Sequence, residues 1–113
     1  MLLKFNYIKK LKIGNFTVFL PIEIDDEIGI IRFLLSDEIN MKIVKLLFEH
    51  ESVKKSDTYK LLTEKRELVY YRITNLIEQN IIYSEEEGKK LRLNPNIKNI
   101  IDEILKNNSD LNK

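Results

Sequence analysis

Apolar residues alternate at the start of the chain, recur at helical spacing through its middle, and alternate again before a last helical stretch. From Leu3 to Ile24 the pattern is that of a hairpin. Phe5, Tyr7, Leu11 and Ile13 alternate on one strand and Phe16, Val18, Leu20, Ile22 and Ile24 on the other. Gly14-Asn15 between them reads as a two-residue turn with glycine first, because glycine takes positive φ at no steric cost. Setting Ile13 opposite Phe16 brings Leu11 beside Val18, Tyr7 beside Ile22 and Phe5 beside Ile24 on one face. The other face pairs Lys4 with Asp25 and Asn6 with Glu23. Pro21 falls opposite Ile8, where its missing N–H points away from the partner strand.

Residues 27–35 carry a nearly continuous apolar run, Ile28, Ile30, Ile31, Phe33, Leu34 and Leu35, which suits a buried helix or a strand; a short helix is the reading adopted, despite Gly29. Ser36 or Asp37 then caps a helix whose Ile39, Ile43, Leu46 and Leu47 recur at helical spacing and which ends at His50-Glu51-Ser52. Ser56 is placed to cap a second helix with Tyr59 and Leu62 facing inwards. Thr63 to Arg66 form a turn, and a third helix bears Val69, Ile73, Leu76 and Ile77 on one stripe. Asn80 suits a left-handed helix end. Ile81 to Ser84 and Lys90 to Asn94 read as strands joined around Glu87-Gly88. Asn94-Pro95 supplies a cap and a first helical residue for a final helix with Ile97, Ile100, Ile101, Ile104 and Leu105 on its apolar stripe, followed by a polar tail from Lys106.

Two helices, a third across a short turn, and a following hairpin describe a winged helix-turn-helix with an added N-terminal β-hairpin, an α+β fold that is mainly α. The expected organisation is a single domain over 1–113: hairpin 1–26, helix-turn-helix and wing 27–94, C-terminal helix and tail 95–113. The stretch from Leu34 to Leu47, and the stretch from Leu76 to Tyr83 ahead of Glu86 to Leu93, resemble winged-helix repressors of the ArsR type over roughly half the chain. The sequence departs from that pattern in three places. Lys65 stands where the family has serine or threonine at the start of the reading helix, the turn lacks its glycine, and Asn80 replaces a glycine.

Composition narrows the chemistry. With 113 residues, 43% hydrophobic and 33% charged, the chain has the make-up of one soluble globular domain. It shows no apolar run long enough to span a bilayer and no cleavable leader, so the expected compartment is the cytoplasm. There is no cysteine, and His50, flanked by Glu49 and Glu51, is the only histidine, so no metal site is expected. Three glycines leave no phosphate-cradling loop and no catalytic constellation is legible, so neither a cofactor nor an enzyme is expected. The net charge of +1 means that any nucleic-acid contact must rest on a local basic patch.

In a helix-turn-helix the second helix of the pair lies in the major groove. With Val69, Ile73 and Leu76 inwards, Glu67, Tyr70, Tyr71 and Thr74 turn outwards, and Lys65 and Arg66 lie near the helix start. Arg66 and Lys65 suit guanine or phosphate, Glu67 a cytosine amino group, and Thr74 a thymine methyl or a phosphate. Lys54, Lys55 and Lys60 around the preceding helix, and Lys89, Lys90 and Arg92 on the returning wing strand, are candidate phosphate contacts, whereas Glu85, Glu86 and Glu87 would be repelled. The alternative is that the tyrosines are partly buried surface aromatics and the charges a solvated face. The expected function is a sequence-specific transcriptional regulator that binds double-stranded DNA as a homodimer through Ile97, Ile100, Ile101, Ile104 and Leu105, the last by family resemblance. The competing expectation is a winged-helix module that binds protein instead of DNA.

Overall fold

The computed structural model describes residues 8–14 and 16–111, with side chains through residue 107. The fold is α+β and mainly helical, and it divides into two units, one ending at Phe33 and one starting at Leu34.

In the first unit, alternation produces an antiparallel hairpin of β1 (Ile8–Ile13) and β2 (Phe16–Pro21). Its register pairs Ile13 with Phe16, Leu11 with Val18 and Ile8 with Pro21, as the sequence pattern predicts. Gly14 has φ +58°, the value a glycine-first turn requires. Asn15 and the predicted partners Lys4, Phe5, Asn6 and Tyr7 lie outside the described residues. The second strand is shorter than predicted, because the Pro21 carbonyl accepts from Ile24 N–H at 3.1 Å and Ile22 falls in that turn. The Lys9 ammonium ties this turn down through the Ile24 carbonyl and through Asp26 at 2.6 Å.

Residues 27–35 resolve as a helix, α1 (Asp26–Leu35), with Asp25 accepting from Glu27 N–H at 2.9 Å and acidic Asp26 and Glu27 in the first turn. A β-carbon at position 29 would overlap Leu20 Cδ1, so glycine lets the end of that leucine side chain rest against the helix. The Phe16 and Phe33 rings meet with centroids 5.6 Å apart.

The second unit begins with α2 (Glu38–Glu49), capped by Asp37, whose carboxylate accepts from Asn40 N–H at 2.9 Å. The buried stripe is Asn40, Ile43, Val44 and Leu47, so the predicted Ile39 and Leu46 are only half-buried. A polar residue holds a core position here because its side-chain amide donates to the Leu34 carbonyl at 2.9 Å.

Next comes β3 (Val53–Lys54), a strand absent from the sequence expectation, followed by α3 (Lys55–Leu62) and α4 (Arg66–Glu78). Ser56 does not cap α3. The helix begins one residue earlier, and the Lys55 N–H donates to the Lys89 carbonyl at 2.8 Å, while Thr58, fully buried, donates to the Lys55 carbonyl at 2.6 Å. Helix α4 ends in the left-handed residue predicted at Asn80, φ 61°, with Ile81 N–H bonded to the Leu76 carbonyl and Asn80 N–H to that of Ile77.

Strands β4 (Ile82–Glu85) and β5 (Lys90–Leu93) complete an antiparallel sheet in the order β3-β5-β4. A 3-10 turn, Pro95–Ile97, then leads into α5 (Lys98–Leu111), with Asn94 accepting from Asn96 N–H at 3.0 Å. Helix α2 packs on α4 and β5, and α4 on β4. Between them lie Ile43, Val44, Leu47, Val69, Ile73, Leu76, Ile82 and Leu91, all fully buried, and each large aliphatic side chain among them contributes about 1.5–3 kcal/mol. Among the described residues no helix is long and apolar enough to cross a membrane.

Candidate nucleic-acid interface

Helix α3 stops because Thr63 adopts the left-handed conformation, φ 57° and ψ 47°. Threonine is a poor residue for that region, and the connection compensates with bonds. Thr63 N–H donates to the Lys60 carbonyl at 3.2 Å and Glu64 N–H to that of Tyr59 at 3.0 Å. The Glu64 carboxylate accepts from Lys42 Nζ on α2 at 2.8 Å. That hydrogen bond, helped by the charges of Glu64 and Glu38, raises the Lys42 ammonium above its ordinary pKa. A second tie joins Arg72 of α4 to Asp37, the cap of α2, at 3.1 Å. The direction of α4 is therefore set by two ion pairs as well as by its apolar stripe.

Val69, Ile73 and Leu76 are buried, which leaves Arg66, Glu67, Tyr71 and Thr74 exposed on the opposite side of α4. Tyr71 is 63% exposed. Lys65 is the N-cap residue without a side-chain cap bond, and Arg66 lies 3.7 Å from Glu67. The Thr74 hydroxyl donates to the Tyr70 carbonyl at 3.1 Å, leaving its methyl as the outward chemistry of that residue.

Tyr70 is different. It is half-buried, its ring meets that of Tyr59 edge-on at 5.9 Å, and Lys55 Nζ sits 4.7 Å from its centroid. Lys60 Nζ lies 5.8 Å from the Tyr59 ring. The two tyrosines join α3 to α4 and hold two lysines beside the helix pair. Lys54 is exposed just before α3.

The turn between β4 and β5 runs through three left-handed residues, Glu86, Glu87 and Gly88, at φ 51°, 58° and 86°. On its strands, Lys90 lies 3.3 Å from Glu86 and Arg92 3.2 Å from Glu85. Two of the three candidate cations here thus rest on carboxylates of the same hairpin, while Lys89 is exposed.

The stripe on the final helix is split. Ile97 and Ile101 are buried within this chain, whereas Ile100, Ile104 and Leu105 are half-buried. Leu61 on α3, 59% exposed, escaped the sequence reading, although a residue adjacent to the inward Leu62 must point to another side of the helix. Among the described residues no group of three or more His, Cys, Asp or Glu side chains is arranged to hold a metal ion. In comparisons with known proteins, no family model and no curated protein matches the chain.

Proposed function

We propose that the unit from Leu34 is a winged helix-turn-helix of the ArsR kind and that the chain is a cytoplasmic, sequence-specific regulator of transcription acting on double-stranded promoter DNA. The element order α2-β3-α3-α4-β4-β5, with β3 paired to β5, supports the fold reading. The observation that carries the functional reading is the outward side of α4. Arg66, Tyr71 and Thr74 are presented there, with Lys65 at the helix start and Lys55 and Lys60 beside the tyrosines that join α3 to α4.

In this reading α4 enters the major groove. Arg66 pairs with a guanine edge, Glu67 accepts from a cytosine amino group and the Thr74 methyl meets that of thymine. Lys54, Lys55, Lys60 and Lys65 contact phosphates and fix the register. Ile100, Ile104 and Leu105 join two copies about a two-fold axis, so that two reading helices meet successive major grooves about 34–36 Å apart.

Selection of bound sequences from a random duplex pool with the full chain tests this directly. A palindromic motif that is lost with Arg66→Ala supports the reading; a pool that stays unenriched overturns it. The competing reading, a protein-binding winged-helix module, draws on the wing, where Lys90 and Arg92 are already paired with Glu86 and Glu85.

A further inference from the structure

The hairpin of the first unit has a second face. Register places three cross-strand pairs on it, Ile8 with Pro21, Lys10 with Phe19, and Lys12 with Thr17, while Lys9, Leu11, Ile13, Val18 and Leu20 lie on the other side. Every residue of the first set is exposed, Phe19 at 66% and Ile8 at 51%. Among these six residues there are two ammonium groups and no carboxylate. Lys9, the third lysine of β1, belongs to the opposite side and is held by Asp26. An exposed phenylalanine costs solubility, and none of the other paired residues on this face carries a charge that offsets the two ammonium groups beside it.

We infer that this face binds single-stranded nucleic acid, with a base stacked on Phe19 and backbone phosphates on Lys10 and Lys12. A single strand is the occupant that answers both features. Its phosphates match the cations, and its unpaired bases offer a flat π-surface to the ring, which duplex DNA keeps stacked inside. A second copy laid on the same face answers the charge less well, since it brings together the four ammonium groups of two Lys10 and Lys12 pairs, with no carboxylate among the paired residues. Sequence preference is weak, because any base stacks on a phenylalanine. The site shares no residue with the outward side of α4 and does not depend on the function proposed for that helix.

Fluorescence anisotropy of the full chain with a labelled oligothymidine of about 12 nucleotides tests the inference. Phe19→Ala is expected to weaken binding about fivefold or more, with Phe19→Tyr retaining it and Phe19→Leu not. Lys10→Ala with Lys12→Ala should make the slope of log K against log salt shallower by about 1.4. All these positions are exposed, so thermal melting serves as the folding control. Phe19→Ala is expected to leave affinity for a selected duplex site unchanged, which separates this result from the fate of the α4 reading. Equal affinity of parent, Phe19→Ala and Phe19→Leu overturns the inference. So does capture of polyglutamate in preference to oligothymidine, or a Phe19→Ala protein whose only change is a smaller mass in sedimentation; these outcomes would assign the face to an acidic protein or to self-association.

Discussion

The side-chain amide of Asn94 donates to the main-chain carbonyl of Asn80 at 2.8 Å, joining the end of β5 to the left-handed residue that closes α4. Asn94 is buried and uses both ends of its amide, since its oxygen caps the following 3-10 turn through Asn96 N–H. Its backbone N–H donates to the Ile81 carbonyl at 3.0 Å. One side chain thus holds three segments together.

Asn94→Ala should therefore destabilise the protein by about 2–3 kcal/mol, one buried hydrogen bond plus one cap. Asn80→Gly, which keeps the carbonyl and suits φ 61°, should be neutral or slightly stabilising. Urea denaturation of both variants checks the contrast; equal losses would show that Asn80 matters through its side chain.

On the proposed α4 surface, Arg66→Ala and Tyr71→Ala should each weaken binding to a selected duplex site by about 1–3 kcal/mol while melting temperature is retained. Tyr70→Ala should instead lower stability, because its ring joins α3 to α4 through Tyr59. Unchanged duplex affinity in both exposed variants would remove α4 from the reading role.

Replacing Glu85, Glu86 and Glu87 together with glutamine releases Lys90 and Arg92 from their partners. Nonspecific duplex affinity should rise, and the salt dependence of log K should steepen by up to about two units as the two cations take up phosphates. The sign decides the matter. Weaker binding after neutralisation would mean that the carboxylates themselves position the protein.

The split stripe on α5 gives a stability and an assembly prediction together. Ile101→Lys places a charge in the core and should prevent stable folding, a loss well above 3 kcal/mol. Ile100→Lys with Ile104→Lys alters half-buried positions and should yield a folded monomer with reduced affinity for a palindromic site. Sedimentation read alongside circular dichroism separates the two effects. A parent protein that is monomeric at high micromolar concentration would end the dimer proposal.

What was legible in the chain followed its local patterns. Ile13 opposite Phe16 came from alternation and one glycine, and the left-handed Asn80 from the point where the helical stripe of α4 runs out. Long-range partners hid the rest. A two-residue strand such as Val53–Lys54 has no period of its own and exists because Leu91 and Lys90 pair with it. Ser56 looked like a cap until Lys89 supplied the carbonyl that Lys55 needed. Asn40 broke the apolar stripe on paper but is buried through its bond to Leu34. At the candidate interface the outward positions of α4 were readable from helical geometry. The pairing of wing cations with wing glutamates, and of Lys55 with Tyr70, required the folded chain.

Gly29 sits in the second turn of α1, where a β-carbon would have to push the end of the Leu20 side chain aside. A short helix with a glycine inside it is too weak to persist alone, since each such residue costs about 1 kcal/mol and nucleation is unfavourable. The hairpin has the same weakness, because two strands without a packed face are marginal in water. Neither element is a folding unit by itself. Amide protons in β1, β2 and the first turns of α1 should therefore exchange through one shared opening, and Gly29→Ala, by displacing the Leu20 side chain that packs there, should accelerate exchange in all three segments at once.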